Sequence, residues 1–169
     1  PNHYESVIAE ARGRYDVDDS EGALALLETL PESEAVDVLR LKARRSQAED
    51  FMTLVAAYED HLRTYPSFDY VWGILLRYYL EAELDAEVER LLTYPRPVPP
   101  YVRSAVNAYR SFVKQDDSAA ERHLQMFLDT REKNRNWQWC WELIVETLES
   151  PKLAHWLVPL SNAAKEDGV

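Results

Sequence analysis

The sequence predicts an all-α protein, a right-handed solenoid of about five antiparallel helical hairpins. The phrase Leu-x-Thr-x-Pro begins at Leu27, Leu62 and Leu91, and a copy without the proline begins at Leu128. The steps between these leucines are 35, 29 and 37 residues, a period typical of stacked helical hairpins. Glycine accounts for only 4 of the 169 residues, which disfavours a turn-rich β protein. Apolar residues also recur at the helical spacing of three and four.

Six helices are predicted before residue 95, where a proline-rich stretch begins. Gly13 ends the first, and Asp19 or Ser20 caps the second, because short polar side chains accept the unpaired N–H groups of a helix start. The phrase ends the second, fourth and sixth helices, since proline cannot continue a helix. Asp69 caps the fifth helix. The predicted spans are 3–13, 20–30, 34–46, 46–65, the segment from 69 through 79, and 85–94.

The stretch from Pro95 to Pro100 contains four prolines. It is either an exposed ligand for a proline-reading domain or, the favoured interpretation, a stiff connector with Pro100 in the first helical turn. The next helix covers 100–114, and Asp117 or Ser118 caps another over 118–133. Residues 134–136 are predicted to break the chain before a helix that ends near residue 149. A last helix starts at residue 151 and is interrupted by Pro159.

These helices pair into five units of one domain, residues 1–169, with units at about 1–32, 33–66, 67–98, 99–134 and 135–166. The third unit carries Trp72-x2-Leu75-x3-Tyr79, which resembles the first-helix signature of the tetratricopeptide repeat, W-x2-L-G-x2-Y. Leu76 stands where that signature has a small residue. The resemblance implies stacked hairpins with a curved, open groove.

The charge and cysteine content narrow the class of protein. A net charge of −11 disfavours a nucleic-acid backbone or an anionic membrane as the main partner. Cys140 is the single cysteine, so no intrachain disulfide forms, and no apolar run reaches the 18 residues of a membrane span. We therefore expect a cytoplasmic protein without membrane insertion.

No enzymatic activity, cofactor or metal site is predicted. The four histidines, at positions 3, 61, 123 and 155, are far apart and lack a second ligand at helical spacing. His61 and His123 are expected to be surface or capped histidines rather than catalytic bases. Cys140 lies among tryptophans, which predicts a buried and inert thiol.

A partner-binding strip is predicted on the first helices of the hairpins. The resemblance implies that these helices line the concave groove, toward which Tyr70 and Arg77 of the third unit project. In the fourth unit Arg103, Asn107 and Arg110 project the same way. Arginine and amide donors at these positions suit an acidic segment or a C-terminal carboxylate. An equally weighted interpretation pairs the arginines with Asp and Glu of adjacent helices.

The tryptophan-rich helix near the C-terminus offers a second surface. Helical spacing sends Trp139 and Leu143 away from one apolar stripe. That stripe contains Trp137, Cys140, Trp141 and Ile144. Core packing on both sides is the favoured interpretation, and an exposed Trp139 would instead be a binding anchor.

The leading hypothesis is a non-enzymatic adaptor or chaperone-like scaffold that holds a protein or peptide, such as an acidic segment, in the concave groove. The alternative is a structural subunit or self-association module that uses the tryptophan-rich end. An RNA-binding helical repeat is a remote third hypothesis, because the net charge makes nucleic acid an unlikely partner.

Overall fold

The computed structural model describes residues 3–47, 50–133 and 137–169, and these residues form helices and no strand. The all-α prediction is therefore confirmed for the described part of the chain. The chain divides into two compact units, Pro1–Tyr79 and Leu80–Val169.

Five helices begin in the first unit, and α1 packs against both α2 and α3. Contacts between α2 and α3 and between α3 and α4 continue the sequence of neighbours. The bounds are α1 His3–Asp16, α2 Ser20–Leu27, α3 Glu34–Ser46, α4 Phe51–Thr64 and α5 Tyr70–Glu81. A buried cluster joins the first three helices and contains Val7, Ile8, Ala11, Leu27, Leu30, Val36 and Leu39. Removing these side chains from water is the main favourable term that holds the three helices together.

In the second unit α7 occupies the centre, because it packs against both α8 and α9. The bounds are α6 Asp85–Thr93, α7 Pro100–Val113, α8 Asp117–Thr130, α9 Trp139–Thr147, a 3-10 helix Pro151–Trp156 and α10 Leu157–Asp167. One side of α7 is fully buried and contains Val102, Ala105, Val106 and Ala108. Pro100 occupies the first turn of α7, as the connector interpretation predicts.

The leucine of the repeated phrase is a core residue in three of its four copies. Leu27, Leu62 and Leu91 are buried, whereas Leu128 is only half-buried. In the fourth copy the preceding residue, Phe127, takes the buried position. The copy that lacks the proline therefore also differs in packing.

The threonine of the phrase has the same role in all four copies. Each hydroxyl donates to a backbone carbonyl three or four residues earlier, near the end of its helix. The bonds run from Thr29 to Leu26 (2.7 Å), Thr64 to Asp60 (2.9 Å), Thr93 to Arg90 (3.0 Å) and Thr130 to Met126 (2.6 Å). The four copies of the phrase therefore share one local hydrogen bond at the end of a helix.

Two of the predicted helix caps are present and one is shifted. Asp19 and Asp69 accept hydrogen bonds from the first backbone N–H groups of α2 and α5. At α8 the cap is Asp116, which accepts from the third helical N–H at 3.1 Å. The prediction of Asp117 or Ser118 is wrong by one or two residues, because all three positions carry a suitable side chain.

Two predicted helix limits near the N-terminus are wrong. Helix α1 does not end at Gly13 but continues to Asp16, and the turn uses Asp18 at a positive φ of 63°. Helix α4 begins at Phe51 rather than Ser46, which is the last residue of α3. Glycine tolerates a helical conformation at a cost of about 1 kcal/mol, so it does not by itself stop a helix.

The C-terminal segment also differs from its prediction. Pro159 does not interrupt the last helix but is the third residue of α10. There its missing N–H removes no intrahelical bond, because the first helical N–H groups have no partner within the helix. The segment that departs from α geometry is instead the 3-10 helix Pro151–Trp156. The predicted break at 134–136 lies outside the described residues.

Candidate partner-binding site

One face of α7 carries a row of polar side chains. Arg103, Asn107, Arg110 and Lys114 follow one another at steps of four, three and four residues. On an α-helix these steps keep side chains on one side, because three or four residues complete about one turn. The row therefore forms a single surface along α7, which we call the cationic face.

Helix α6 supplies the carboxylates that meet the cationic face. Asp85 and Glu89 are one helical turn apart, so both reach toward the same neighbour. Glu89 accepts from Arg103 Nη1 at 2.9 Å, and Asp85 accepts from Lys114 Nζ at 2.5 Å. The contact between the two helices thus has a cation at each end.

Arg110 lies between the two carboxylates and is the most buried cation of the group. Its Nη1 donates to Glu89 at 2.8 Å and to the Asn107 side-chain oxygen at 3.1 Å. Its Nη2 lies 3.3 Å from an Asp85 oxygen. The Arg110 side chain is 16% exposed, against 38% for Arg103 and 43% for Lys114. Arg110 therefore joins α6 to α7, and Arg103 and Lys114 are the cations that water and a partner can reach.

The cations stabilise the ionised form of both carboxyl groups. Hydrogen bonds from Lys114 and then Arg110 hold the pKa of Asp85 below its ordinary value. Hydrogen bonds from Arg103 and then Arg110 lower the pKa of Glu89 in the same way. Three cations face two carboxylates, so this group of five side chains has one excess positive charge on a chain whose net charge is −11.

This arrangement suits exchange of one carboxylate for another. Exposed ion pairs contribute only about 0.2–1 kcal/mol each, because water solvates the separated charges well. A carboxylate from a partner that displaces Glu89 from Arg103 therefore replaces a weak bond with a similar one. Because the three cations outnumber Asp85 and Glu89 by one, they also attract the negative charge of the partner.

The structure brings together three of the predicted site residues, Arg103, Asn107 and Arg110. The alternative interpretation, in which the arginines form ion pairs with an adjacent helix, also agrees with the structure, because Arg103 and Arg110 both pair with Glu89 of α6. Sequence reasoning missed Lys114, although the same helical spacing extends to it. It also missed Asp85 and Glu89, whose four-residue separation on a predicted helix was the available signal.

Tyr70 and Arg77 belong to the first unit and share one side of α5, two turns apart. Both are half-buried. Lys42 of α3 places its ammonium group 4.7 Å from the centre of the Tyr70 ring, a cation–π contact. The first helices of two successive predicted hairpins thus meet at Tyr70.

Trp139 is the first residue of α9 and is half-buried, with its ring 5.9 Å from that of Trp137. The predicted apolar stripe is partly wrong, because Leu143 is buried on α9 while Trp141 is only half-buried. The ring of Trp141 instead meets Phe127 edge-on at 5.1 Å. The buried residues of α9 are Cys140, Leu143, Ile144 and Thr147.

The candidate reactive side chains have contrasting environments. Cys140 is buried, and burial raises the pKa of its thiol, so the prediction of an inert thiol is supported. His123 is half-buried, and its pKa is lowered first by burial and then by the nearby charges of Arg122 and Arg110.

The expectation of a surface or capped His61 is wrong in part, because its side chain is 0% exposed. Asp37 and Asp69, each bonded to one ring nitrogen, make this burial tolerable.

Comparison with known proteins found no matching protein-family model, curated protein or solved structure. No helix formed by the described residues is both long enough and apolar enough to cross a membrane.

Proposed function

We propose that the protein is a non-enzymatic adaptor with a tetratricopeptide-like helical array that binds an acidic protein segment. Two features of the packing support the array. The first helix of a pair contacts its partner and also the next first helix, as α1 does with α3 and α7 with α9. The signature-like residues Trp72, Leu75 and Tyr79 are all buried on α5, as packing positions of a repeat must be.

The observation that carries the binding proposal is the surplus of cations on the cationic face. Arg103 and Lys114 are exposed at its two ends, while Arg110 and Asn107 hold the middle in place. An extended acidic peptide that lies along α7 meets cations separated by about three helical turns. Charge-assisted bonds from arginine to carboxylate are the strongest polar contacts such a surface can make.

The buried free thiol of Cys140 is compatible with a reducing compartment, and we propose the cytoplasm as the site of action.

A direct test uses fluorescein-labelled peptides of equal length and acidic, neutral or basic composition. Anisotropy titrations against the whole protein, at low and physiological salt, give their dissociation constants. We expect the acidic peptide to bind tightest and to weaken as salt rises, because the contacts are exposed. Arg103→Gln should weaken it about fivefold, as expected for the loss of roughly 1 kcal/mol.

Arg63→Gln is the matched control, since Arg63 is an exposed arginine that pairs with Asp60 on its own helix α4. It removes the same charge from the chain without touching the cationic face. Equal weakening by Arg63→Gln and Arg103→Gln would reduce the effect to net charge and contradict the proposal. An acidic peptide that binds no better than the neutral one would also contradict it.

A second candidate function, self-association, rests on the C-terminal part of the second unit. Val145, Leu157 and Val158 are exposed there. A cleft of about 530 Å³ is lined by Trp141, Val145 and Val169 together with polar residues of α9. Light scattering tests it: a mass that rises with concentration and returns to the monomer value in Val145→Glu favours this function. A constant monomer mass contradicts it.

A further inference from the structure

His61 lies at one end of the α3–α4 pair, where three separate elements meet. It is in the last turn of α4, opposite the start of α3, because the two helices form a hairpin. The short loop after α4 then brings the chain back to Asp69, which precedes α5. Glu34 is the first residue of α3. Residues far apart in sequence therefore converge around one imidazole ring.

The two ring nitrogens of His61 have different partners. Nδ1 lies 2.7 Å from Asp37 Oδ2, a short bond that fixes the orientation of the ring. Nε2 lies 3.2 Å from Asp69 Oδ2. A neutral imidazole has only one N–H, so its second nitrogen faces Asp69 with a lone pair. Two electron-rich atoms held this close are stabilised either by a proton on Nε2 or by a cation that both atoms bind.

The geometry points to a metal ion as that cation. We propose that His61 Nε2, Asp69 and Glu34 bind a divalent transition-metal ion of the zinc type. Their ligand atoms all lie within 4.8 Å of one another. Tetrahedral zinc with ligands at about 2.0–2.2 Å keeps neighbouring ligand atoms about 3.3 Å apart, close to the separation of Nε2 and Asp69.

The surrounding groups prepare these ligands for a metal. Asp37 holds the Nδ1 side of the ring, the arrangement by which a carboxylate fixes the tautomer of a metal-binding histidine. The other carboxylate oxygen of Asp69 accepts from the backbone N–H groups of Val71 and Trp72 at 3.0 and 3.2 Å. Asp69 Oδ2 is thereby directed at His61. Glu34 is exposed, so one of the three ligands is in contact with solvent.

The nitrogen ligand from His61 also determines which type of metal ion the site prefers. One nitrogen and two carboxylate ligands suit zinc and related transition metals, whereas Mg²⁺ and Ca²⁺ favour all-oxygen sites. The bound ion would tie α3, α4 and the start of α5 together. We therefore expect it to stabilise the first unit, with water as the fourth ligand of the ion.

A protonated imidazole bridging Asp37 and Asp69 would make the same two contacts, so the experiment must distinguish a proton from a metal. Calorimetric titration of the EDTA-treated whole protein with ZnCl₂ should show one equivalent bound. At zinc concentrations about 100 times the dissociation constant, the midpoint of thermal unfolding should rise by about 8 °C. Millimolar MgCl₂ should not reproduce this shift.

Glu34→Gln and Asp69→Asn should each weaken zinc binding at least tenfold. Glu34 is exposed, and asparagine at position 69 keeps an oxygen for capping α5, so both variants should fold. Asp60→Asn is the control, because Asp60 is an exposed carboxylate of α4 that pairs with Arg63. Absence of zinc binding would overturn the proposal, as would zinc binding that Glu34→Gln leaves unchanged. The latter result would place the ion elsewhere, for example at His155 and Glu121.

Discussion

The packing of the repeated phrase makes a quantitative prediction about two leucines of the second unit. Leu91 of α6 is fully buried, and Leu128 of α8 occupies the same place in the phrase but is half-buried. Leu91→Ala and Leu128→Ala remove identical groups at equivalent positions. Each variant is therefore the control for the other.

The expected magnitudes follow from burial. Truncation of leucine to alanine removes three carbon atoms, or about 2.4 kcal/mol at 0.8 kcal/mol for each buried group. The cavity left by fully buried Leu91 adds to this cost, so we expect about 3–4 kcal/mol. At Leu128 the transfer cost is about halved and water fills the space, which leaves about 1 kcal/mol.

Urea unfolding followed by circular dichroism gives the two free energies of unfolding, provided that the slopes with denaturant agree. In thermal unfolding the expected losses correspond to about 10 °C for Leu91→Ala and about 3 °C for Leu128→Ala. Equal losses for the two variants would refute the reasoning. That result would show that the fourth copy of the phrase is packed like the others.

Three further predictions concern ionisation. Because the pKa values of Asp85 and Glu89 are lowered, their ion pairs stabilise the fold above their ordinary values of 3.8 and 4.5. This stability should be lost as the pH falls through the lowered pKa values. Arg103→Gln removes part of it, so the urea midpoint of this variant should decline less than that of wild type between pH 6 and about pH 3. An equal decline in the two proteins would contradict this prediction. Cys140 should react with a thiol reagent at least about 100-fold faster in urea than in the native protein, whereas a fast native reaction would contradict its burial. Burial raises the pKa of Tyr58 and Tyr101 to about 12, so the free energy of unfolding should fall as the pH rises from 10 toward 12. If all tyrosines of the folded protein titrated near pH 10, as followed by tyrosinate absorbance, this prediction would be contradicted.

Most helices could be predicted from the sequence because their signals are local. The span 34–46 was predicted with the limits that α3 has, since Ser33 caps it and the apolar spacing is regular. Limits were missed where several residues could serve, as at the start of α8, or where glycine is tolerated in a helix, as at Gly13. Pro159 was misjudged because its effect depends on its distance from the helix start.

The candidate sites were less accessible to sequence reasoning because they depend on contacts between elements. The row of residues on α7 could be predicted from spacing, but its pairing with Asp85 and Glu89 requires knowing which side of α6 faces α7. The His61 cluster has no spacing signal. Asp37 and Asp69 reach the ring from different elements, and only the hairpin geometry brings them together.

The most direct test of the proposed function is the affinity of Glu89→Gln for the labelled acidic peptide. The Glu89 carboxylate pairs with Arg103 Nη1 at 2.9 Å and with Arg110 Nη1 at 2.8 Å, so it competes with the partner for these cations. Neutralising it breaks two ion pairs worth about 1 kcal/mol together, so binding should tighten about fivefold while stability falls slightly. A binding surface predicts this gain. Unchanged or weaker binding of the acidic peptide to Glu89→Gln would show that the arginines serve only to join α6 to α7.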